Sequence, residues 1–161
     1  MSDGSAEVNG CDIEVVRVAR GAPEADELAN IAKTAFAGPW FSPIDELDKP
    51  WARVWVARDK QAARAVGFLV AWHVVDELHV LHVATAVDMR RRGVGSALVA
   101  EAVAYARANE VRLCLLEVRQ SNDPAIRLYE KHGFVVENVR PKYYSDNDED
   151  ALEMWLMLGK A

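Results

Sequence analysis

Between Leu78 and Val139 the chain switches repeatedly between two hydrophobic periods, and this narrows the folds open to it more than any other feature. Leu78 to Val87 is an extended apolar run centred on His79-Val80-Leu81-His82-Val83-Ala84-Thr85. Ser96 to Asn109 carries apolar residues at helical spacing, and Val111 to Val118 returns to a buried-strand pattern. Asp123 to His132 predicts a second helix, stopped by Gly133, and Phe134 to Val139 a third strand. Strands that alternate with helices in this way imply parallel crossover connections. Upstream, Ile13 to Val18 reads as a first strand and Ala22 to Ala37 as a helix. Ser42 opens a short second helix that ends before Pro50. Trp51 to Arg58, Ala65 to Val75 and Leu78 to Val87 follow one another through short links, so antiparallel pairing is expected among them. Arg140 to Glu149 reads as a polar loop before a last strand, Ala151 to Leu158. The expectation is a single α/β domain: a mixed central sheet, antiparallel in its first half, with parallel crossovers in its second half, flanked by about four helices.

With 161 residues, 51% of them hydrophobic and 27% charged, the chain is one domain able to bury a core. The expected domain is 11–161, preceded by a flexible, polar tail over residues 1–10 that lacks the basic and apolar segments of a signal peptide. A net charge of −6 argues against general binding to nucleic acid or an anionic membrane. No apolar run reaches the roughly 18 residues of a membrane span. The two cysteines, Cys11 and Cys114, support neither a disulfide framework nor a metal site. No metal is expected; a reducing, cytoplasmic location is, with the chain a monomer or weak homodimer.

Against the acidic background, Arg90-Arg91-Arg92-Gly93-Val94-Gly95-Ser96 places three cations and two glycines where a strand turns into a helix. A helix N-terminus presents free N–H groups and about half a positive charge, so this turn suits a phosphate. A Walker loop requires Lys after its last glycine, and Ser96 stands there instead. The dinucleotide fingerprint requires a third glycine, and the position holds Leu98, although Glu117 lies near the expected acidic position. An ordinary basic surface turn is the third reading.

Glu117 ends a hydrophobic strand, and ligands of parallel sheets gather beyond such strand ends. Ser121 or Asn122 can cap the helix that follows, which carries Tyr129. Taken singly, Glu117 reads as a salt-bridged carboxylate and Tyr129 as a half-buried core aromatic. Together they form an acid–base pair. A carboxylate withdrawn from water can take a proton from an attacking amine, and a phenol can give one to a thiolate leaving group.

These segments resemble the GNAT superfamily of acetyl-CoA-dependent N-acetyltransferases from about Leu78 to Leu158. Arg90-x-x-Gly93-x-Gly95 is similar to that family's pyrophosphate motif, Gln/Arg-x-x-Gly-x-Gly/Ala. The run from Leu116 to Phe134, Pro141-Lys142-Tyr143-Tyr144, and Glu149-Asp150-Ala151 with Met154 resemble RimI-type ribosomal-protein-alanine N-acetyltransferases and N-terminal acetyltransferases more widely. Phe36 to Pro43, with its Gly38-Pro39-Trp40-Phe41 core, is a weaker match on the acceptor side.

The resemblance implies transfer of an acetyl group from acetyl-CoA to a protein or peptide N-terminus. A lysine or small-molecule amine as acceptor, or a non-catalytic acyl-CoA sensor, are the alternatives. Val83, Ala84 and Thr85 would pair with the pantetheine arm. Arg90, Arg91, Arg92, Gly93, Val94, Gly95 and Ser96 would hold the pyrophosphate. Asn122 and Ala125 would lie at the arm near its reactive end. Glu117 would be the general base and Tyr129 the general acid, also against the cofactor. Trp40, Phe41, His82, Tyr143 and Tyr144 would line the acceptor groove. Ala86-Val87 departs from the Asp-Pro usual there, and His82 replaces an expected polar residue such as Asn, which makes it a candidate second base. Ser145-Asp146-Asn147-Asp148 is more acidic than usual, which would draw in a positively charged substrate.

Overall fold

The computed structural model describes residues 4–8, 11–36 and 42–159. Strands β1 (Gly4–Val8) and β2 (Cys11–Val18) lead into helix α1 (Ala25–Ala35) and a 3-10 helix (Pro43–Asp48). Strands β3 (Ala52–Asp59), β4 (Arg64–Val74) and β5 (Glu77–Thr85) follow, then a 3-10 turn (Val87–Met89) and helix α2 (Val94–Ala108). The chain closes with β6 (Leu113–Arg119), α3 (Asp123–Lys131), β7 (Val135–Tyr144) and β8 (Glu149–Met157).

The eight strands form one sheet in the order β1-β2-β3-β4-β5-β6-β8-β7. From β1 to β5 every ladder is antiparallel, as expected. In the second half the expected parallel crossovers are present: α2 joins β5 to β6, and α3 joins β6 to β7, which runs in the same sense. Among the described strands β5 and β6 are the pair bonded in parallel. The crossover through α3 carries β7 past its neighbour's place, and β8 returns to insert between β6 and β7, antiparallel to both. The tail corrects the expectation: Gly4–Val8 forms an edge strand on β2. The expected loop after Arg140 is strand as far as Tyr144, with only residues 145–148 left as the turn of a hairpin.

Helices cover both faces of the central strands. On one face Trp72 Nε1 donates to Glu46 of the first 3-10 helix (3.2 Å). On the other, Trp55 meets Tyr105 of α2 edge-on, and a Cβ on Gly67 would press on Val94, Leu98 and the Ala84 carbonyl. This is why Val66 to Ala71 reads as a continuous apolar run without alternation, apart from Gly67: side chains on both faces are buried. Leu28, Ile31 and Ala32 give α1 a buried stripe at i, i+3, i+4, while Leu98, Val99, Ala102 and Ala106 do the same for α2. Three α-helices and the six-residue 3-10 helix account for the flanking layers among the described residues.

The β5–β6 ladder positions the site. It runs only from Glu77↔Leu113 to Val80↔Leu116. On its other edge β5 bulges against β4, so that Val70 faces His82, Ala71 faces Val80, and Leu81 is the extra residue. Beyond that point the two central strands part. The sheet thus forks, with Leu81–Thr85 along one prong and Glu117–Arg119 along the other.

Candidate active site

A groove of about 750 Å³ opens at the fork. Val83, Ala84 and Thr85 line it from β5, and Met89, Arg90, Arg91 and Gly93 to Ser96 from the turn into α2. Asn122, Pro124, Ala125, Leu128, Tyr129 and Lys131 line it from α3 and its cap, with Ala35 and Phe36 at the end of α1. Arg92 of the basic triplet is not among the lining residues.

The turn is built to expose backbone donors. Gly93 caps α2 in the left-handed conformation (φ 84°), which glycine adopts without a Cβ clash. The first i→i−4 bond of α2 is Ala97 N–H to Gly93 O, so the amides before it have no partner within the helix. Arg91 also takes a left-handed backbone (φ 63°), uncommon for so large a side chain and typical of functional turns. Gly95 serves packing: a Cβ there would lie 3.3 Å from Leu128 of α3, so its absence lets the two helices close on the groove. Buried Met89 anchors the turn below, and an Arg64–Asp88 ion pair ties it to the start of β4.

Tyr129 is 9% exposed, set edge-on to Phe134 with centroids 5.9 Å apart. Burial, followed by the neighbouring Tyr144, pushes its hydroxyl up to about 12, so it holds its proton at neutral pH. Asn122 caps α3, its Oδ1 accepting from Ala125 N–H (3.3 Å).

Glu117 is the first residue of β6 beyond the ladder, at the vertex of the fork. Leu116 and Val118 point into the core that includes Tyr129, so strand alternation turns Glu117 to the opposite face. Its side chain is 23% exposed, and Oε1 lies 3.9 Å from Arg140 Nη2. It does not line the groove; it sits beside it, on the other face of the sheet from α3. Tyr144 is within electrostatic reach of both Tyr129 and Glu117.

With this geometry in place, the family can be read. The Acetyltransferase (GNAT) family profile matches residues 25–134. The chain belongs to the GNAT acetyltransferase family. It is 31% identical over 140 residues to a Bacillus subtilis (strain 168) protein provisionally named ribosomal protein bS18-alanine N-acetyltransferase, covering 85% of this chain and 91% of that one. It is 39% identical over 141 residues to an N-alpha-acetyltransferase of Sulfurisphaera tokodaii, covering 78% and 83%. The crystal structure of the ribosomal-protein-S18-alanine N-acetyltransferase from Escherichia coli superposes with a TM-score of 0.79 at 27% identity, covering 91% and 96%.

On the far side of the fork this GNAT acetyltransferase carries an aromatic pair clasped by two guanidiniums. Tyr143 and Tyr144 stack edge to face at 5.1 Å. Arg119 lies 3.9 Å over the Tyr144 ring and Arg140 lies 5.8 Å from the Tyr143 ring. Arg119 also binds Asp146 (3.0 Å) and Glu149 (3.3 Å), so the acidic turn is partly neutralised. Hydrogen bonds from Ser121, including its N–H at 2.8 Å, and then Arg119, pull Glu149 down to about 2.

His82 is half-buried, edge-on to Phe36 at 5.2 Å, and does not line the groove. Burial holds its imidazole below the ordinary value despite the opposing charge of Glu46. Trp40 and Phe41 lie outside the described residues. Phe36, which opens the weakly matching acceptor-side segment, lines the groove, and Ala35, Met89, Leu128 and Lys131 join it without having been singled out in the sequence. For Leu128 and Lys131 the signal was there: they lie one position to one side of Tyr129 and two to the other, on a helix already assigned to the site.

Proposed function

We propose that this GNAT acetyltransferase moves an acetyl group from acetyl-CoA to the N-terminal α-amine of a protein, a ribosomal protein or one resembling it. The observation that carries the reading is the fork, which opens onto the Arg90–Ser96 turn at one end and has Glu117 at its vertex. The names of the relatives favour an α-amine over a lysine.

The groove fits the donor. Arg90, Arg91 and the exposed amides at the start of α2 would hold the pyrophosphate, and the free edge of Val83–Thr85 would pair with an extended pantetheine arm. Acetyl-CoA supplies the acetyl group as a thioester. Glu117 takes the proton lost by the amine as nitrogen bonds to the carbonyl carbon, directly or through one water. Tyr129, kept protonated by burial, gives its hydroxyl proton to the sulfur as the carbon–sulfur bond breaks. Base and acid act from opposite faces of the forked sheet. Tyr143 and Tyr144 would line the path of the acceptor chain.

The test is acetyl-CoA turnover across peptides that differ in their first residue, alanine among them, with N-terminally blocked lysine peptides as controls. Turnover confined to free N-termini is expected. Turnover confined to lysine would overturn the choice of acceptor, and no turnover on any amine would favour an acyl-CoA sensor.

A further inference from the structure

Glu117 and Glu153 stand directly opposite each other across β6 and β8, on one face of the sheet. Two carboxylates in that relationship repel, unless a cation serves both or one of them is held elsewhere. Arg140 of β7 is the cation between them, and it is shared unequally. Its Nε and Nη2 donate to Glu153 Oε2 at 3.0 and 2.8 Å, while Nη2 stays 3.9 Å from Glu117 Oε1. Glu153 Oε1 accepts from Trp155 Nε1 (2.8 Å) and Asn138 Nδ2 (3.3 Å), so both its oxygens are committed. The Glu153 side chain is 6% exposed, against 51% for Arg140 and 23% for Glu117. A carboxylate so deeply placed and fully bonded does not act on substrate. It fixes the guanidinium.

We infer that Glu153 is a positioning residue that withholds Arg140 from Glu117 and so keeps the proposed base open to the acceptor amine. This rests on the reading of Glu117 as base. Without the Glu153 charge, Arg140 has one strong acceptor left within reach, and closing the 3.9 Å gap would occupy Glu117 and lower its basicity. The other ionisable groups around Glu117 do not substitute for this pair. Arg119 is held by Asp146 and Glu149, Tyr143 and Tyr144 face the two guanidiniums, and His82 on β5 is turned to Phe36 within reach of Glu46.

The experiment compares pH profiles of kcat/KM, with acetyl-CoA and an alanine-initiated peptide, for the parent enzyme, Glu117→Gln, Glu153→Gln and the double variant Arg140→Met/Glu153→Gln. Glu117→Gln identifies the limb that belongs to Glu117. In Glu153→Gln that limb moves to lower pH by about one unit and kcat falls about tenfold, the scale of a tightened carboxylate–guanidinium contact. The double variant, which leaves no buried charge unpaired, regains most of that loss. A double variant as slow as Glu153→Gln overturns the proposal, as does a Glu153→Gln limb that has not moved. If the limb survives in Glu117→Gln, it is the reading of Glu117 as base that fails. Carboxyl-carbon NMR titration of Glu117 needs no acceptor: its midpoint should drop in Glu153→Gln and rise again in the double variant, and an unchanged midpoint overturns the role of Glu153 whatever the acceptor is.

Discussion

Ser96 Oγ lies 2.9 Å from His132 Nε2, tying the first turn of α2 to the residue that ends α3. Both helices line the groove, so the contact helps to set how far apart its walls stand at the Arg90–Ser96 end. His132→Ala removes one side-chain hydrogen bond, worth about 1 kcal/mol. Calorimetric titration should show coenzyme A binding about fivefold weaker, on that energy scale, with turnover at saturating donor close to the parent value. An unchanged dissociation constant would mean that the helices hold their spacing without this contact.

The basic triplet divides. Arg90 and Arg91 line the groove and Arg92 does not. Arg91→Ala should therefore weaken coenzyme A by about tenfold, the scale of one charge-assisted hydrogen bond, and leave a phosphate-free pantetheine fragment unaffected. Arg92→Ala should change neither ligand by more than the modest effect of a nearby surface charge. Equal losses for both ligands in Arg91→Ala would remove the phosphate role.

Tyr129→Phe keeps the ring, its contact with Phe134 and the groove wall, and deletes only the hydroxyl. Loss of a general acid should lower kcat by about a hundredfold or more. The acetyl-CoA dissociation constant should stay close to the parent value. A parallel loss of affinity would make Tyr129 a binding group. Because burial pushes the hydroxyl up to about 12, no tyrosinate absorbance from Tyr129 should develop until well above pH 10, the ordinary tyrosine range.

Acid should destabilise the enzyme in two stages. Burial lowers the imidazoles of His82 and His132, helped at His132 by Lys131. The unfolded chain then binds more protons than the folded one as pH drops through about 6.5, and stability falls with it. Glu149 has the carboxylate sign: its contribution is whole above the unfolded value near about 4.3 and is lost as pH falls toward about 2. Thermal melts should show Tm declining from about pH 6.5 and more steeply below about pH 4.5. A level Tm between about pH 7 and about pH 5 would contradict the histidine stage.

Much of this architecture could be read from residues alone, where local chemistry dictates it. The Arg90–Ser96 turn falls at a strand-to-helix junction that the two flanking periodicities mark, and Asn122 and Gly133 marked both ends of α3 correctly. What escaped was decided at long range. That β8 inserts between β6 and β7 is a matter of long-range pairing, and no periodicity records it. The polar run from Arg140 to Glu149 reads as loop, although Pro141 is accommodated in the ladder irregularity between Arg140 and Tyr144 on the outer strand β7. Gly4–Val8 is short, with Gly and Ser at its start, and gains strand character only from pairing with β2. Nothing in the sequence sets Glu153 apart, because its partners, Arg140, Asn138 and Trp155, are spread over two strands.

The fork between β5 and β6 amounts to a sheet edge enclosed within the molecule rather than exposed at its border. Strands paired in a sheet lie about 4.8 Å apart, so an extended chain lying between two prongs needs roughly twice that separation. Beyond Val80 and Leu116 the backbone groups that β5 and β6 turn toward each other have no ladder partner. An extended segment that carries amides could enter and complete the pairing there, whereas a helix, which spends its amides on internal bonds, could not. The missing rungs therefore leave the sheet able to take one more extended chain at its centre, not at its border.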